Sequence, residues 1–357
     1  MGGVDHDNDW SSEESGPIDA GLALDLLARR LPRAELHCHL AGAVRPSFGR
    51  SREAASTRPD EAHDYVDVAG FFANHRRFAA SLDAPEVITR TTLRILEGAV
   101  DAGCRHVELS VNRAEFEGCG VDFAAVLDAA GEAFVEVRER LGVSGGLIVA
   151  MDRDSAPDAA LEAVEQAASA RGRGVSVLGI GNDGFPSRPL PEFAEAFAAA
   201  RSRGLRTTCH ANKPQDVVDA LDLGLDRIDH AWELQGEVEL QRVVAAAAVP
   251  VTMAMTSCLM MLPGRFPTAA GFPFDELRRA GVRVTLNVDD GAMFFTDSAA
   301  EYRLAARTYS YDAATLADIA LDSLEAAWLD EDDRPARLAR WRAEAAALVL
   351  DPRAPRV

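Results

Sequence analysis

The sequence feature that most constrains the fold is a repeated alternation between short runs rich in β-branched residues and longer, amphipathic, alanine-rich stretches. Successive βα units around a parallel sheet produce this pattern. Eight runs are predicted to be strands: residues 34–39, 106–111, 146–151, 175–181, 206–210, 227–230, 249–253 and 283–288. Eight such units predict an α/β fold of the closed (β/α)8 TIM-barrel type, whose active site lies at the carboxyl ends of the strands.

The stretches between these strands have the spacing of apolar residues that is typical of helices. The predicted helices span residues 85–102, 123–141, 157–171, 190–203, 214–223, 236–247 and 274–280. Gly103, Gly204, Gly224 and Gly281 stand where helix C-caps belong, because glycine adopts the left-handed conformation that ends many helices.

Two segments are too long for the simple repeat. Residues 41–84 contain the amphipathic sequence FFANHRRFAASL and are predicted to form a lid insertion after the first strand. Residues 298–350 are predicted to form two or three extra helices near the C-terminus of the chain.

Composition excludes several classes of protein. The formal net charge of −20 would repel a phosphate backbone, so we expect no nucleic-acid partner. No run approaches the roughly 20 apolar residues of a membrane span, so we expect no membrane partner either. Five scattered cysteines indicate neither a disulfide framework nor a cysteine-rich zinc site, which favours the cytoplasm.

The chain length of 357 residues suits a single barrel domain. The acidic, polar residues 1–16 lack the pattern of a secretory signal and are predicted to be a flexible tail. We therefore predict one barrel domain over residues 17–357 and leave its oligomeric state open.

Residues that can bind a metal recur at the predicted strand ends. His37 and His39 lie two apart at the end of the first strand, so their side chains share one face, which in a barrel is the interior. The ends of strands five, six and eight carry residues of the same kind: His210, His230, Asp289 and Asp290. Imidazoles with one carboxylate are the ligands that catalytic zinc prefers, and zinc brings the pKa of its bound water close to neutrality. The sequence therefore predicts one catalytic Zn²⁺.

Four motifs carry a resemblance to a known family. They are PRAELHCHLAGAVRP at 32–46, the His210-Ala211 pair, the Asp229-His230 pair and TLNVDDGAMF at 285–294. Together they resemble the adenosine deaminase family of the amidohydrolase superfamily over roughly residues 30–310. The resemblance implies a mononuclear zinc barrel in which hydroxide attacks a ring carbon and ammonia leaves. It assigns the zinc ligands to four residues: His37, His39, His210 and Asp289.

The same resemblance implies roles for residues around the metal. His230 would orient and deprotonate the attacking water, and Asp290 would contact a ring nitrogen of the substrate. Gly181 would offer its backbone N–H to the ligand. Phe71 and Phe72, in the predicted lid, are further candidates for substrate binding.

Two positions depart from the family pattern. The family's His-Ala-Gly-Glu motif reads His210-Ala211-Asn212-Lys213 here, so the chain's single lysine replaces the Glu that protonates the purine ring. Ala41 stands where the family has an Asp that binds the ribose hydroxyl, and alanine cannot form that hydrogen bond.

Lys213 leaves three interpretations open, because an amine near a metal could serve as a proton donor, a base, a Schiff-base nucleophile or an anion clamp. The first is a zinc-dependent hydrolase that cleaves a C–N bond of a small polar substrate other than adenosine, either nucleoside-like or anionic. The second is an adenosine or adenosine-analogue deaminase with Lys213 as proton donor. The third is a lyase or isomerase that uses Lys213, or a binding protein without catalysis.

Overall fold

A computed structural model describes residues 20–44, 68–184 and 187–353. The strands, all paired in parallel, are β1 (Arg33–His39), β2 (Cys104–Asn112), β3 (Ser144–Asp152), β4 (Val177–Asp183), β5 (Arg206–Thr207), β6 (His210–Ala211), β7 (Ile228–His230), β8 (Val251–Met253) and β9 (Val284–Leu286). Each of the eight predicted strands is present, and the fifth is divided into β5 and β6.

The strands form two sheets, β1 to β5 and β6 to β9 in sequence order. The fifth predicted strand joins them: Thr208 N–H donates to the carbonyl of Ile180, and Cys209 accepts a hydrogen bond from Asp229 N–H. At the opposite edge, a parallel bridge pairs Cys38 of β1 with Asp289, just beyond β9. These contacts connect the first and last strands, and the (β/α)8 barrel predicted from the sequence is confirmed.

The helices lie between and around the strands. They are α1 (Ala20–Arg30), α2 (Val68–Ala79), α3 (Pro85–Asp101), α4 (Phe123–Leu141), α5 (Pro157–Gly172), α6 (Ala194–Ser202), α7 (Pro214–Asp222), α8 (Val238–Ala247), α9 (Met255–Met261), α10 (Phe274–Arg279), α11 (Ser298–Tyr309), α12 (Ala313–Ala326) and α13 (Arg334–Leu350). Prolines occupy the first turn of α3, α5 and α7, where the missing N–H costs no hydrogen bond. Within the described residues, no helix has both the length and the apolar character that a bilayer crossing requires.

The predicted helices agree with the structure to within a few residues at each end, and all four predicted C-cap glycines have positive φ angles. Two helices were not predicted. Helix α1 precedes the first strand, and α9 lies in the MTSCLMM segment between β8 and α10. The 3-10 turn Leu190–Phe193 replaces the beginning of the helix predicted over residues 190–203.

The two segments outside the simple repeat are both helical where described. Helix α2 carries the FFANHRRFA part of the lid insertion, while residues 45–67 lie outside the described residues. At the other end, α11, α12 and α13 are the predicted extra helices, and Leu324 of α12 and Trp341 of α13 pack on Ala34 and Leu36 of β1. The predicted tail over residues 1–16 also lies outside the described residues.

Candidate active site

The carboxyl ends of three strands bring four imidazoles together inside the barrel, and the segment beyond β9 adds the carboxylate of Asp289. The ring of His37 lies 5.0 Å from that of His39, 4.9 Å from that of His210 and 4.8 Å from that of His230, between centroids. His37 and His39 are each 5% exposed, as is Asp289. The residues predicted at the ends of strands one, five, six and eight therefore form one cluster, in which His210 and His230 are partly buried and the others are buried.

The donor atoms of this cluster suit a small dication. Oδ1 of Asp289 lies 3.3 Å from Nε2 of His37 and 3.3 Å from Nε2 of His39. Potential ligand atoms of His37, His210 and His230 also lie within 4.8 Å of one another. The buried Nε2 of His37 has no hydrogen-bond partner, which is costly unless a ligand satisfies it. Three imidazoles and a carboxylate match the preference of zinc, and all four predicted ligands lie here.

Two buried carboxylates lie beside the Nδ1 atoms of His37 and His39, on the side of each ring away from Nε2. Asp229 Oδ1 lies 3.4 Å from Nδ1 of His37, and Asp183 Oδ2 lies 3.5 Å from Nδ1 of His39. A carboxylate at Nδ1 favours the tautomer that leaves Nε2 free to bind a metal. Thr208 and Thr252 donate to Asp229 at 2.7 Å each. The sequence interpretation assigned no role to either carboxylate, although Asp229 belongs to one of the family motifs.

The pKa of Asp229 reflects this pairing. Burial alone would raise the pKa of the carboxyl, but His37 and Arg227 hold it well below its usual value. Asp229 therefore stays ionised and continues to orient His37.

His230 and Asp289 have an unusual backbone. Their φ angles are 67° and 62°, in the left-handed region that non-glycine residues adopt at a cost of roughly 1–3 kcal/mol. Ser257 donates to Oδ2 of Asp289 at 2.6 Å, so Oδ1 remains directed at the histidines. Burial lowers the pKa of His230 to about 4, which keeps its imidazole neutral and able to accept a proton.

A cavity of about 260 Å³ opens beside the cluster. Its lining combines polar and apolar side chains: His39, Phe71, Phe72, His75, Glu115, Asp183, Gly184, His210, Asn212, His230, Trp232, Ser257, Cys258, Met261, Leu262, Asp289 and Asp290. Phe71 and Phe72, the predicted candidates for substrate binding, both line this cavity. Within the described residues, no arginine or lysine contributes to this lining.

Lys213 is not in this lining. It immediately precedes α7, its backbone is extended (φ −143°, ψ 152°) and its side chain is exposed. The neighbouring Asn212 lines the cavity instead. The sequence interpretation expected the Lys213 amine beside the cluster of candidate metal ligands. The structure does not place it there.

A buried ion pair holds the backbone of this segment. Arg153 Nη2 lies 2.5 Å from Oδ1 of Asp216, and Asp216 Oδ2 accepts a hydrogen bond from Asn212 N–H at 3.1 Å. Arg153 also donates to the carbonyl of His210 at 3.2 Å. One guanidinium thus positions both a candidate zinc ligand and a residue of the cavity wall.

The structure also relocates the glycine of the fourth strand. Gly181 lies inside β4, where it pairs with Ala150 of β3, and does not line the cavity. Gly184, just beyond β4, lines it instead. The expected ligand contact from Gly181 is therefore not supported by its position.

Asp290 lies at the cavity wall, 2% exposed, against the backbone of the first βα loop. A Cβ at Gly42 would lie only 1.6 Å from Asp290 Oδ1, so this approach requires glycine. The preceding Ala41 is fully buried and offers no polar side chain.

His75 of α2 is a site residue that the sequence interpretation did not assign. Its Nδ1 lies 2.7 Å from Glu115 Oε1, and its Nε2 lies 3.0 Å from Asp290 Oδ1. Burial alone would lower its pKa, but the carboxylates of Asp290 and Glu115 raise it to about 10. The four-residue spacing from Phe71, which puts both side chains on one helix face, is the sequence signal that could have identified it.

Comparison with known proteins agrees with this geometry. The family model described as adenosine deaminase matches residues 32–340. The chain is 29% identical over 320 residues to an adenine deaminase of Rhizobium leguminosarum bv. trifolii, which covers 87% of this chain and 98% of that protein. It is 31% identical over 334 residues to an aminodeoxyfutalosine deaminase of Streptomyces coelicolor, which covers 88% of this chain and 84% of that protein.

Solved structures show the same fold. An amidohydrolase from Burkholderia ambifaria with bound zinc superposes with a TM-score of 0.81 at 26% identity and covers 95% of this chain and 96% of its own. An adenine deaminase from Arthrobacter aurescens superposes with a TM-score of 0.80 at 24% identity and covers 89% of this chain and 99% of its own. The chain belongs to the adenosine deaminase family and is a hydrolase that acts on C–N bonds.

Proposed function

We propose that this protein is a zinc-dependent deaminase of a small, uncharged heterocyclic base, and that adenosine is not its preferred substrate. One observation carries the proposal: the cluster of His37, His39, His210 and Asp289 lies beside a cavity of about 260 Å³ to which no described arginine or lysine contributes. The reaction replaces an exocyclic amino group by oxygen and releases ammonia.

The size and charge of the cavity support the substrate class. Pockets for larger ligands are roughly 300–1,000 Å³, which is above the volume found here. Glu115, Asp183 and Asp290 place three carboxyl groups in the wall against one imidazolium, that of His75, whose pKa is raised to about 10. This excess of acidic groups disfavours the anionic substrate that the sequence had left open. Six curated relatives are named adenine deaminase, the name of an enzyme for a free base, which is consistent with this reading.

When bound, zinc would lower the pKa of a water molecule and so supply a nucleophile at neutral pH. The neutral imidazole of His230 is suited to accept a proton from the attacking water and to deliver it to the leaving amine. Asp290 is placed to hydrogen-bond one edge of the ring, and the Asn212 amide can donate to or accept from another. Phe71 and Phe72 exclude water from the ring.

The exposed position of Lys213 favours neither a Schiff-base mechanism nor ring protonation by its amine. We therefore assign Lys213 no part in the proposed chemistry. Asn212 replaces it as the residue beyond β6 that faces the substrate.

Ammonia release from a panel of aminated heterocycles, free bases and their nucleosides tests the proposal. Purified protein with one zinc per chain is expected to deaminate at least one free base, and adenosine more slowly than that base. Efficient turnover of adenosine, or no release from any free base, would contradict the proposal.

A further inference from the structure

The imidazole of His75 is held from both sides at the cavity wall. Glu115, just beyond β2, contacts one ring nitrogen at 2.7 Å, and Asp290, just beyond β9, contacts the other at 3.0 Å. His75 is 3% exposed, although it belongs to the lid helix rather than to the barrel. Turning the ring away would cost both carboxylate contacts, so the side chain is fixed in place.

The residues around His75 form a continuous wall, which we call the roof and define as Phe71, Phe72 and His75. The Phe71 ring lies 4.8 Å from the His75 ring and stacks on Phe294 at 5.6 Å. On the other side, the His75 ring lies 6.2 Å from that of His39, a candidate zinc ligand. The roof therefore closes over the metal cluster at short range.

The side of Asp290 that faces Gly42, away from His75, is closed as well. Its Oδ1 lies against Gly42, where even a Cβ would not fit, while the same oxygen faces His75. A ligand beside Asp290 therefore meets backbone on one side and a clamped imidazole on the other. Fully buried Ala41 offers no hydrogen-bonding side chain here to a larger, hydroxylated ligand.

From this geometry we infer that His75 is a specificity-determining residue, which Glu115 and Asp290 hold in place so that it closes the cavity on the Asp290 side. A free heterocyclic base fits beneath the roof, whereas the same base with a bulky ring substituent such as a sugar does not. The inference rests on the proposed function, because it names the feature that restricts the substrate to a free base.

Calorimetric binding of purine and of purine riboside to the zinc-loaded protein tests this role, since neither probe carries an amino group that could be released. We expect the wild type to bind purine at least ~100-fold more tightly than the riboside, a ratio within reach of steric discrimination. His75→Ala opens the wall and is expected to reduce that ratio at least tenfold, mainly by tighter riboside binding. Glu115→Gln keeps the shape but weakens the clamp, so an intermediate ratio is expected.

Arg76→Ala is the matched control, because Arg76 is exposed on the same helix and does not line the cavity. It should leave the ratio unchanged. A wild type that binds both probes equally would overturn the inference and leave the deaminase proposal standing. A folded His75→Ala variant that excludes the riboside as strongly as the wild type would also overturn the inference. Failure of the wild type to bind either probe would also overturn the inference, and the panel of free bases tests the deaminase proposal separately.

Discussion

Asp289 contacts His37 through both its backbone and its side chain. Its N–H donates to the carbonyl of His37 at 2.9 Å, and its Oδ1 lies 3.3 Å from Nε2 of the same residue. The first contact joins the last strand to the first, and the second brings two zinc-ligand candidates together. Barrel closure and metal binding are therefore coupled at one residue pair.

This coupling predicts that zinc stabilises the fold. Binding to the folded state alone adds about 4 kcal/mol to the free energy of unfolding when free zinc is about 1,000 times its Kd. Thermal unfolding should show a lower Tm after chelation, and Asp289→Asn should shrink the difference between zinc-loaded and zinc-free protein. Asp318→Asn, at an exposed position of α12, serves as the control. Equal Tm values with and without zinc in the wild type would count against the coupling.

The buried Arg153–Asp216 pair predicts a positioning effect on the cavity. Removing one partner of such a pair costs about 3–5 kcal/mol, because the other charge stays buried alone. Arg153→Met should lower the free energy of unfolding in urea by about this amount, and should reduce kcat because His210 and Asn212 lose their support. In the double variant Arg153→Met/Asp216→Leu, stability should largely return while kcat stays low. Full recovery of kcat would show that the pair has no positioning role.

Lys213 and Asn212 give opposite predictions. Lys213→Ala removes an exposed side chain, so kcat/KM should change less than about threefold and the free energy of unfolding by less than about 0.5 kcal/mol. Asn212→Ala removes a cavity-lining amide and should lower kcat/KM by about tenfold or more. Steady-state kinetics with matched zinc contents measures both. Loss of turnover in Lys213→Ala with zinc retained would restore Lys213 to the catalytic site.

His75 predicts a pH dependence of stability. Its pKa is raised from 6.5 to about 10 in the folded state, because two carboxylates outweigh the effect of burial. The stabilisation from its protonated ring is therefore complete below about pH 6.5 and is lost as the pH rises towards 10. The difference in unfolding free energy between the zinc-loaded wild type and His75→Gln should shrink over this interval. A difference that is constant from pH 6 to pH 10 would mean that His75 is neutral throughout.

The strand ends were predictable because they depend on local patterns. A period of two places His37 and His39 on one face, and the repetition of βα units places strand ends five, six and eight beside them. The same regularity located seven helices to within a few residues.

The remaining features depend on contacts that no local pattern encodes. Lys213 is exposed in a segment before α7 whose backbone is held by the Arg153–Asp216 ion pair, and these two residues are far apart in the chain. His75 enters the site only because the lid docks between Glu115 and Asp290. Gly184 rather than Gly181 lines the cavity because β4 extends to Asp183, two residues beyond its predicted end. The supporting carboxylates Asp183 and Asp229 likewise emerged only from tertiary distances.

The central claim is that a C–N bond of a free base is hydrolysed at the cluster of candidate zinc ligands. Its most direct test is deamination in ¹⁸O-labelled water of the best free base from the substrate panel, with product oxygen and ammonia measured together. We predict one labelled oxygen in the product for each ammonia released, with both signals lost on zinc removal and in His230→Ala. Ammonia release without incorporation of label, or release that persists without zinc, would contradict the claim.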